Sequence, residues 1–91
     1  MIISIFVYGR LKEFFDDAPS FSVSGSPDVL SVLTSFSGTD DGHRLLFDQS
    51  GSLRSQILIM VNKKRITAGR APEFILSDGD EIRIYPAVSG G

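Results

Sequence analysis

The last residues of the sequence, Pro86-Ala87-Val88-Ser89-Gly90-Gly91, are the segment whose residue types and spacing best suit chemistry. Glycine has no Cβ and adopts backbone conformations closed to other residues. Such an ending is narrow, and its only reactive group is the carboxylate of Gly91. We therefore interpret Val88, Ser89, Gly90 and Gly91 as a projecting, narrow tail whose only candidate for chemistry is that carboxylate.

Other polar residues of the sequence are better explained by structure than by catalysis. Asp78, Asp80 and Glu81 surround Gly79, and we interpret them as a tight turn rather than a metal site. His43 is the single histidine, and the chain has no cysteine. Disulfides, thiolate metal sites and cysteine nucleophiles are thereby excluded. We expect no metal, no cofactor bound by this chain, and no catalysis by this domain alone.

Length and charge narrow the class of protein. A chain of 91 residues predicts one domain. The formal net charge of −2 gives no support for nucleic-acid binding. No apolar run approaches the ~20 residues of a membrane span, and the start, MIISIFVYGR, lacks the features of a signal peptide. We expect a cytoplasmic protein that binds neither nucleic acid nor membrane.

Alternating apolar residues predict strands at both ends of the chain. In the first strand Ile3, Ile5 and Val7 share one face, which we assign to the core, whereas Phe6 and Tyr8 lie on the other. A second strand around Phe21 and Val23 forms a hairpin with the first. Further strands are predicted at 57–61, at the short edge segment 66–67, and at 82–85, where Ile82 and Ile84 point inward and Tyr85 outward.

One helix is predicted between these strands. Ser26 suits the N-cap, Pro27 the first helical position and Gly38 the C-terminal stop. The predicted apolar stripe consists of Val29, Leu30, Leu33 and Phe36. Residues 39–56 have weaker patterns, and only 44–47 are predicted to form a helical turn.

The order of these elements favours an α+β fold of the β-grasp (ubiquitin-like) type, with a mixed sheet of four to five strands and one main helix on one face. A right-handed crossover places the first and last strands side by side and parallel. The domain then covers residues 1–86, followed by a flexible tail of residues 87–91. The pattern alone leaves other two-layer α+β folds open.

Four segments together resemble the MoaD/ThiS sulfur-carrier family, most closely the small subunit of molybdopterin synthase. They are Tyr8-Gly9-Arg10-Leu11-Lys12-Glu13, Val61-Asn62-Lys63, Leu76-Ser77-Asp78-Gly79-Asp80-Glu81-Ile82 and Pro86-Ala87-Val88-Ser89-Gly90-Gly91. The motif L-x-D-G-D-E alone is a generic turn, but a Gly-Gly ending ten residues later makes the combination more specific.

The resemblance implies a mechanism and partners. An E1-like adenylating enzyme (MoeB/ThiF-like) would use ATP to activate Gly91, and sulfur transfer would then form a thiocarboxylate. A MoaE-like large subunit of molybdopterin synthase would receive the tail and pass sulfur to a pterin precursor of molybdenum cofactor. The chain is then a cosubstrate or small subunit. Phe6, Tyr8, Tyr85 and Pro86 would bind these partners, since aromatic residues are enriched as interface anchors.

Three alternatives stay open at this point. A ubiquitin-like protein modifier would need the same tail but would join Gly91 to a lysine. A sulfur carrier of the thiamine pathway would share the thiocarboxylate and differ in its acceptor. A β-grasp interaction module would need no reactive tail at all.

Overall fold

The structure is a computed structural model that describes residues 1–38 and 41–86. It contains β1 (Ile2–Val7), β2 (Ala18–Ser22), α1 (Val29–Ser37), α2 (Asp41–Leu46), β3 (Leu58–Val61), β4 (Lys64–Ile66) and β5 (Glu81–Tyr85). Two short 3₁₀ helices lie at Gly9–Glu13 and Ala68–Arg70. No helix in the described part of the chain is long and apolar enough to cross a membrane.

The five strands form one mixed sheet in the order β2-β1-β5-β3-β4. β1 and β5 are parallel neighbours, with Ile5 opposite Ile82, and the other pairs are antiparallel. This arrangement confirms the predicted β-grasp fold. The edge strand begins earlier than the predicted 66–67, because Asn62 and Lys63 both have positive φ and close a two-residue turn. Pairing therefore resumes at Lys64, opposite Val61.

Burial alternates along the two central strands as predicted. Ile3, Ile5 and Val7 of β1 are at most 1% exposed, and Ile82 and Ile84 of β5 are fully buried. Burying one such side chain contributes about 1.5–3 kcal/mol. The helix α1 adds to the same core through Val29, Leu33 and also Val32, which the predicted stripe omitted. The predicted stripe residues Leu30 and Phe36 are partly buried at the margin of the core.

The start of α1 differs from the prediction. Asp28, not Ser26, is the N-cap, and its Oδ1 accepts a hydrogen bond of 2.7 Å from the backbone N–H of Ser31. Residues 27 and 28 are held extended by residues 75 and 76, since Leu76 donates its N–H to the Pro27 carbonyl at 2.9 Å. Helical conformation therefore begins only at Val29. Gly38 ends the helix with φ of 67°, as expected.

The segment 41–57 contributes a second part of the core. Residues 44–46 of the predicted turn belong to α2, which begins at Asp41, whereas Phe47 lies beyond the end of the helix and forms an isolated bridge with Leu53. Leu46, Phe47, Leu53 and Ile57 are buried, so this segment packs against the domain.

The turn after α2 is organised by Asp48. Its Oδ1 accepts hydrogen bonds from Ser50 Oγ at 2.6 Å, from Ser50 N–H at 2.9 Å and from Ser52 N–H at 3.1 Å. The Ser50 side chain first, then the Ser52 backbone, holds the pKa of Asp48 below its ordinary value. The ionised carboxylate therefore stabilises this turn.

Replacing Asp48 with asparagine should make the stability of the protein less dependent on pH. Because the folded pKa is lowered, the ionised group stabilises the fold above the unfolded pKa of about 3.9, and this contribution is lost as pH falls through the folded value. Asp48→Asn should lower the thermal midpoint at pH 7, and its difference from wild type should shrink below about pH 4. Asp16→Asn, at another exposed carboxylate, is the matched control. Equal thermal midpoints for wild type and Asp48→Asn at pH 7 would contradict this role.

Candidate functional site

The described chain ends where the predicted tail begins. β5 lies between β1 and β3 in the sheet, and Pro86 directly follows its last residue. The predicted tail residues Val88, Ser89, Gly90 and Gly91 lie outside the described residues. The predicted division at residue 86 stays a prediction. The described chain therefore ends at Pro86, directly after the central strand of the sheet.

Gly9 makes room for Pro86. In the parallel register Val7 lies opposite Ile84, so the second residue after each, Gly9 and Pro86, are brought together. Gly9 has φ of +59°, and a Cβ at this position would lie 2.8 Å from Pro86 Cγ. Only a glycine fits this approach without moving the proline. The sequence places Gly9 after the first predicted strand, but its contact with Pro86 depends on the register of β1 and β5, which spacing alone does not reveal.

Gly9→Ala should therefore displace Pro86 as well as strain the backbone. The matched control is Gly25→Ala, because Gly25 also has positive φ (+69°) but nothing within 4 Å of an added Cβ. Left-handed backbone should cost each variant about 1–2 kcal/mol. The contact with Pro86 should make Gly9→Ala less stable than the control by roughly another 1 kcal/mol. Urea denaturation measures both values, and equal losses would contradict the contact.

An aromatic face, formed by Phe6, Tyr8 and Tyr85, lies on the side of the sheet opposite the buried strand residues. All three side chains are partly exposed, as predicted. The rings of Tyr8 and Tyr85 stack with centroids 4.5 Å apart and planes 9° from parallel. The stacked pair belongs to the ends of β1 and β5, immediately before Gly9 and Pro86. The aromatic face is therefore contiguous with the start of the tail.

Arg83 adds a fixed positive charge to this face, and sequence reasoning missed it. Its guanidinium carbon lies 5.3 Å from the centroid of the Phe6 ring, within range of a cation–π contact. Its Nη1 donates to Glu81 Oε1 at 3.1 Å. The neighbouring Glu81 carboxylate, and to a lesser degree the Tyr8 side chain, raise the pKa of Arg83 above its ordinary value. The alternation of β5 was the available signal, because it puts Arg83 on the same face as Tyr85. The register of β1 and β5 then places Arg83 opposite Phe6.

The acidic turn before β5 is structural, as predicted. Asp78 Oδ1 accepts from Ile2 N–H at 2.7 Å, and Asp80 accepts from Ser77 N–H at 2.8 Å and from Asn62 Nδ2 at 2.8 Å. Gly79 has the expected positive φ, 88°. These hydrogen bonds join the turn to β1 and to the β3–β4 turn, and thus fix the register of β5.

Comparison with solved structures supports the fold over the whole chain. SAMP1 from Haloferax volcanii is 22% identical with a TM-score of 0.81, and the match covers 100% of each chain. A chain of the BexX/CysO complex of Amycolatopsis orientalis is 22% identical with a TM-score of 0.70, covering 98% of this chain and 99% of that one. The small archaeal modifier protein 1 of Methanosarcina acetivorans is 30% identical with a TM-score of 0.71, covering 99% and 96%.

Comparison of the sequence with family models identifies the family. The model of the ThiS family matches residues 5–91, which include the aromatic face, Gly9 and the Gly90-Gly91 ending. The comparison with curated proteins gave no match. The chain therefore belongs to the ThiS family of small ubiquitin-like sulfur carriers and modifiers.

Proposed function

We propose that this protein carries sulfur as a thiocarboxylate on Gly91 and donates it in the biosynthesis of molybdopterin. The observation that supports this most is the family match through residue 91, where the sequence ends in Gly90-Gly91. The fold adds a second support, because the tail follows the central strand directly at Pro86. In this proposal partner enzymes bind the folded domain, and the reaction takes place at the tail.

The proposed chemistry has two steps before sulfur is delivered. A carboxylate oxygen of Gly91 attacks the α-phosphorus of ATP in an E1-like (MoeB/ThiF-like) enzyme, and pyrophosphate leaves. Hydrosulfide (HS⁻) supplied by a donor then attacks the carbonyl carbon of Gly91, AMP leaves, and loss of the proton on sulfur gives the thiocarboxylate. ATP is bound by the activating enzyme, so this chain contributes the carboxylate and a backbone thin enough to enter the site. A MoaE-like large subunit then receives the thiocarboxylate and passes its sulfur to the pterin precursor.

The aromatic face is the proposed docking surface for both enzymes. Aromatic side chains that are partly exposed and already stacked lose little conformational entropy when a partner covers them. Their position next to Pro86 means that a protein enclosing residues 87–91 comes close to them. The charge of Arg83 would give the contact a preferred orientation.

Removing one ring from this face should weaken recognition by the activating enzyme. Tyr8→Ala loses the stack with Tyr85 and should raise the KM for the protein in ATP–pyrophosphate exchange about tenfold. Phe14→Ala is the control, because Phe14 is an aromatic residue with 49% exposure outside the aromatic face. An unchanged KM for Tyr8→Ala would remove the aromatic face from the proposal.

The molecule that accepts sulfur from the thiocarboxylate distinguishes the molybdopterin pathway from the thiamine pathway. The thiocarboxylated protein is mixed with a MoaE-like large subunit and the pterin precursor, and dithiolene-containing product is measured. The proposal expects product only with the thiocarboxylate form. Activity in a thiazole-forming system of the thiamine pathway, with none in the pterin assay, would assign the protein to that pathway instead.

A protein modifier is the second candidate. The observation that favours it is the 30% identity to a protein described as a small archaeal modifier. In that case a lysine amine attacks the activated Gly91 carbonyl, AMP leaves, and an isopeptide bond forms. Peptides with the Gly91 carbonyl attached to lysines, found by mass spectrometry of purified adducts, would support this function.

A further inference from the structure

A second surface near the tail is lined by arginines. A cavity of about 350 Å³ lies beside Pro86, and Arg10, Arg44 and Arg54 line it together with the buried residues Leu11 and Ile57. We call it the arginine cavity. The three arginines come from separate parts of the chain: the first 3₁₀ helix, α2 and the segment before β3. All three are exposed.

Among the residues that the structure describes, no acidic side chain lines the arginine cavity to balance its positive charge. Within residues 1–38 and 41–86, the only ion pair joins Arg83 to Glu81, away from this cavity. The Asp48 carboxylate is attracted by the charge of Arg54, but it already accepts hydrogen bonds from Ser50 and Ser52. In a chain of net charge −2, this surface is a local concentration of positive charge.

One of the arginines is held in place by the backbone. Arg54 Nε donates to the carbonyl oxygen of Arg44 at 2.7 Å. This bond uses one N–H of the guanidinium and leaves its terminal amino groups to bind a ligand. A guanidinium whose direction is already set loses less entropy when it binds a carboxylate. The cavity thus combines an oriented cation with apolar surface from Leu11 and Ile57.

The position of the cavity relates it to the tail. Five extended residues span at most roughly 18 Å, so Gly91 can lie no farther than about that distance beyond Pro86. Any enzyme that encloses the reacting carboxylate must therefore bring its surface close to Pro86. Since Pro86 also lines the arginine cavity, that enzyme's surface should meet these three arginines.

We propose that the arginine cavity receives an acidic segment of the enzyme that adenylates the tail, with aspartate or glutamate side chains pairing with Arg10, Arg44 and Arg54. This inference rests on the proposed function. Arginine guanidinium groups bind carboxylates through two parallel hydrogen bonds, and several such pairs fix the orientation of a complex. The arginine cavity and the aromatic face would then hold the protein on either side of the tail.

The test compares two pairs of arginines in ATP–pyrophosphate exchange. The cavity variant carries both Arg10→Gln and Arg44→Gln. It keeps the hydrogen bond from Arg54 Nε to the carbonyl oxygen at position 44, because that oxygen belongs to the backbone. The control is Arg65→Gln with Arg70→Gln, two exposed arginines outside the arginine cavity. Each pair removes two positive charges and changes the formal net charge from −2 to −4. Only the position of the lost charge differs.

The cavity variant should raise the KM of the protein about tenfold at low salt with an unchanged kcat, and the control should stay close to wild type. The difference should shrink as salt is added, because exposed charge pairs are screened. A charge-reversed enzyme, with its acidic segment changed to lysines, should lose affinity for wild type and regain it with Arg10→Glu/Arg44→Glu.

Two results would overturn the inference while leaving the proposed function intact. One is exchange activity with equal KM values for all variants. The other is equal KM values together with saturable chemical-shift changes at Arg54 Nε–H on adding inorganic phosphate, which would assign the arginine cavity to a small anion. Wild type that supports no exchange with any adenylating enzyme of its own cell would overturn the proposed function and this inference with it.

Discussion

Deleting Gly90 and Gly91 is expected to abolish ATP–pyrophosphate exchange while leaving the fold unchanged. The exchange needs a terminal carboxylate that reaches the nucleotide, and the deletion shortens the chain by two residues. The buried hydrophobic residues of the described chain all lie between Ile3 and Ile84. The free energy of unfolding should therefore change by less than about 0.5 kcal/mol. Exchange kinetics and urea denaturation of the same samples measure the two effects.

A matched pair of alanine variants separates crowding of the tail from a general effect of replacing glycine. Gly90→Ala adds one methyl group to the tail, and a misplacement near 1 Å can cost about 100-fold in rate. Gly69→Ala is the control, since an added Cβ there has nothing within 4 Å and no positive φ opposes it. Equal exchange rates for both variants would show that the tail needs length but not narrowness. Full exchange by the deletion variant would refute the role of Gly91.

Replacing Ile84 with alanine should lower the free energy of unfolding more than any of the other substitutions proposed above. Ile84 is fully buried on the central strand, where Val7 of β1 and Ile59 of β3 lie opposite it. Truncating a buried isoleucine removes apolar burial and leaves a cavity, which together cost about 3–4 kcal/mol. That is a large part of the roughly 5–15 kcal/mol typical of a domain. Urea denaturation at 25 °C measures the loss.

Ile75→Ala provides the control for the same chemical change at the surface. Ile75 is 55% exposed, so its truncation should cost less than about 0.5 kcal/mol. A loss below about 1 kcal/mol for Ile84→Ala would contradict the assignment of β5 to the centre of the core.

The strands could be predicted because alternation is a local property of the sequence. Ile3, Ile5 and Val7 lie on one face of β1 and Phe6 on the other, so both the core and part of the aromatic face followed from spacing. The chain order then limited the topology, because few arrangements allow a right-handed crossover between the first and last strands.

The features that were missed depend on contacts distant in sequence. Asp28 became the N-cap because residues 75 and 76 hold the preceding backbone extended, and nothing near Ser26 reveals that pairing. The apolar residues of the segment 41–57 recur with no clear period. They reach the core from a six-residue helix and an isolated bridge rather than from one regular element. Its contribution to the core could not be read from spacing.

In the candidate site, too, local sequence features could be predicted, whereas contacts between distant parts of the chain could not. The tail was predicted from its composition, and the resemblance to a family implied a mechanism for it. The approach of Gly9 to Pro86 required the register of two strands, and the arginine cavity required three segments to meet. Residue types therefore predicted a reacting group, whereas the surfaces next to Pro86 emerged only from the assembled fold.

Tandem mass spectrometry of the C-terminal peptide tests the central claim most directly. The protein is incubated with its adenylating enzyme, ATP and an isotopically labelled sulfur donor, and the fragments locate any added sulfur. The account predicts that one oxygen is replaced by labelled sulfur on Gly91 and nowhere else. Labelled sulfur at another residue, or an unmodified Gly91 after complete turnover of ATP, would contradict it.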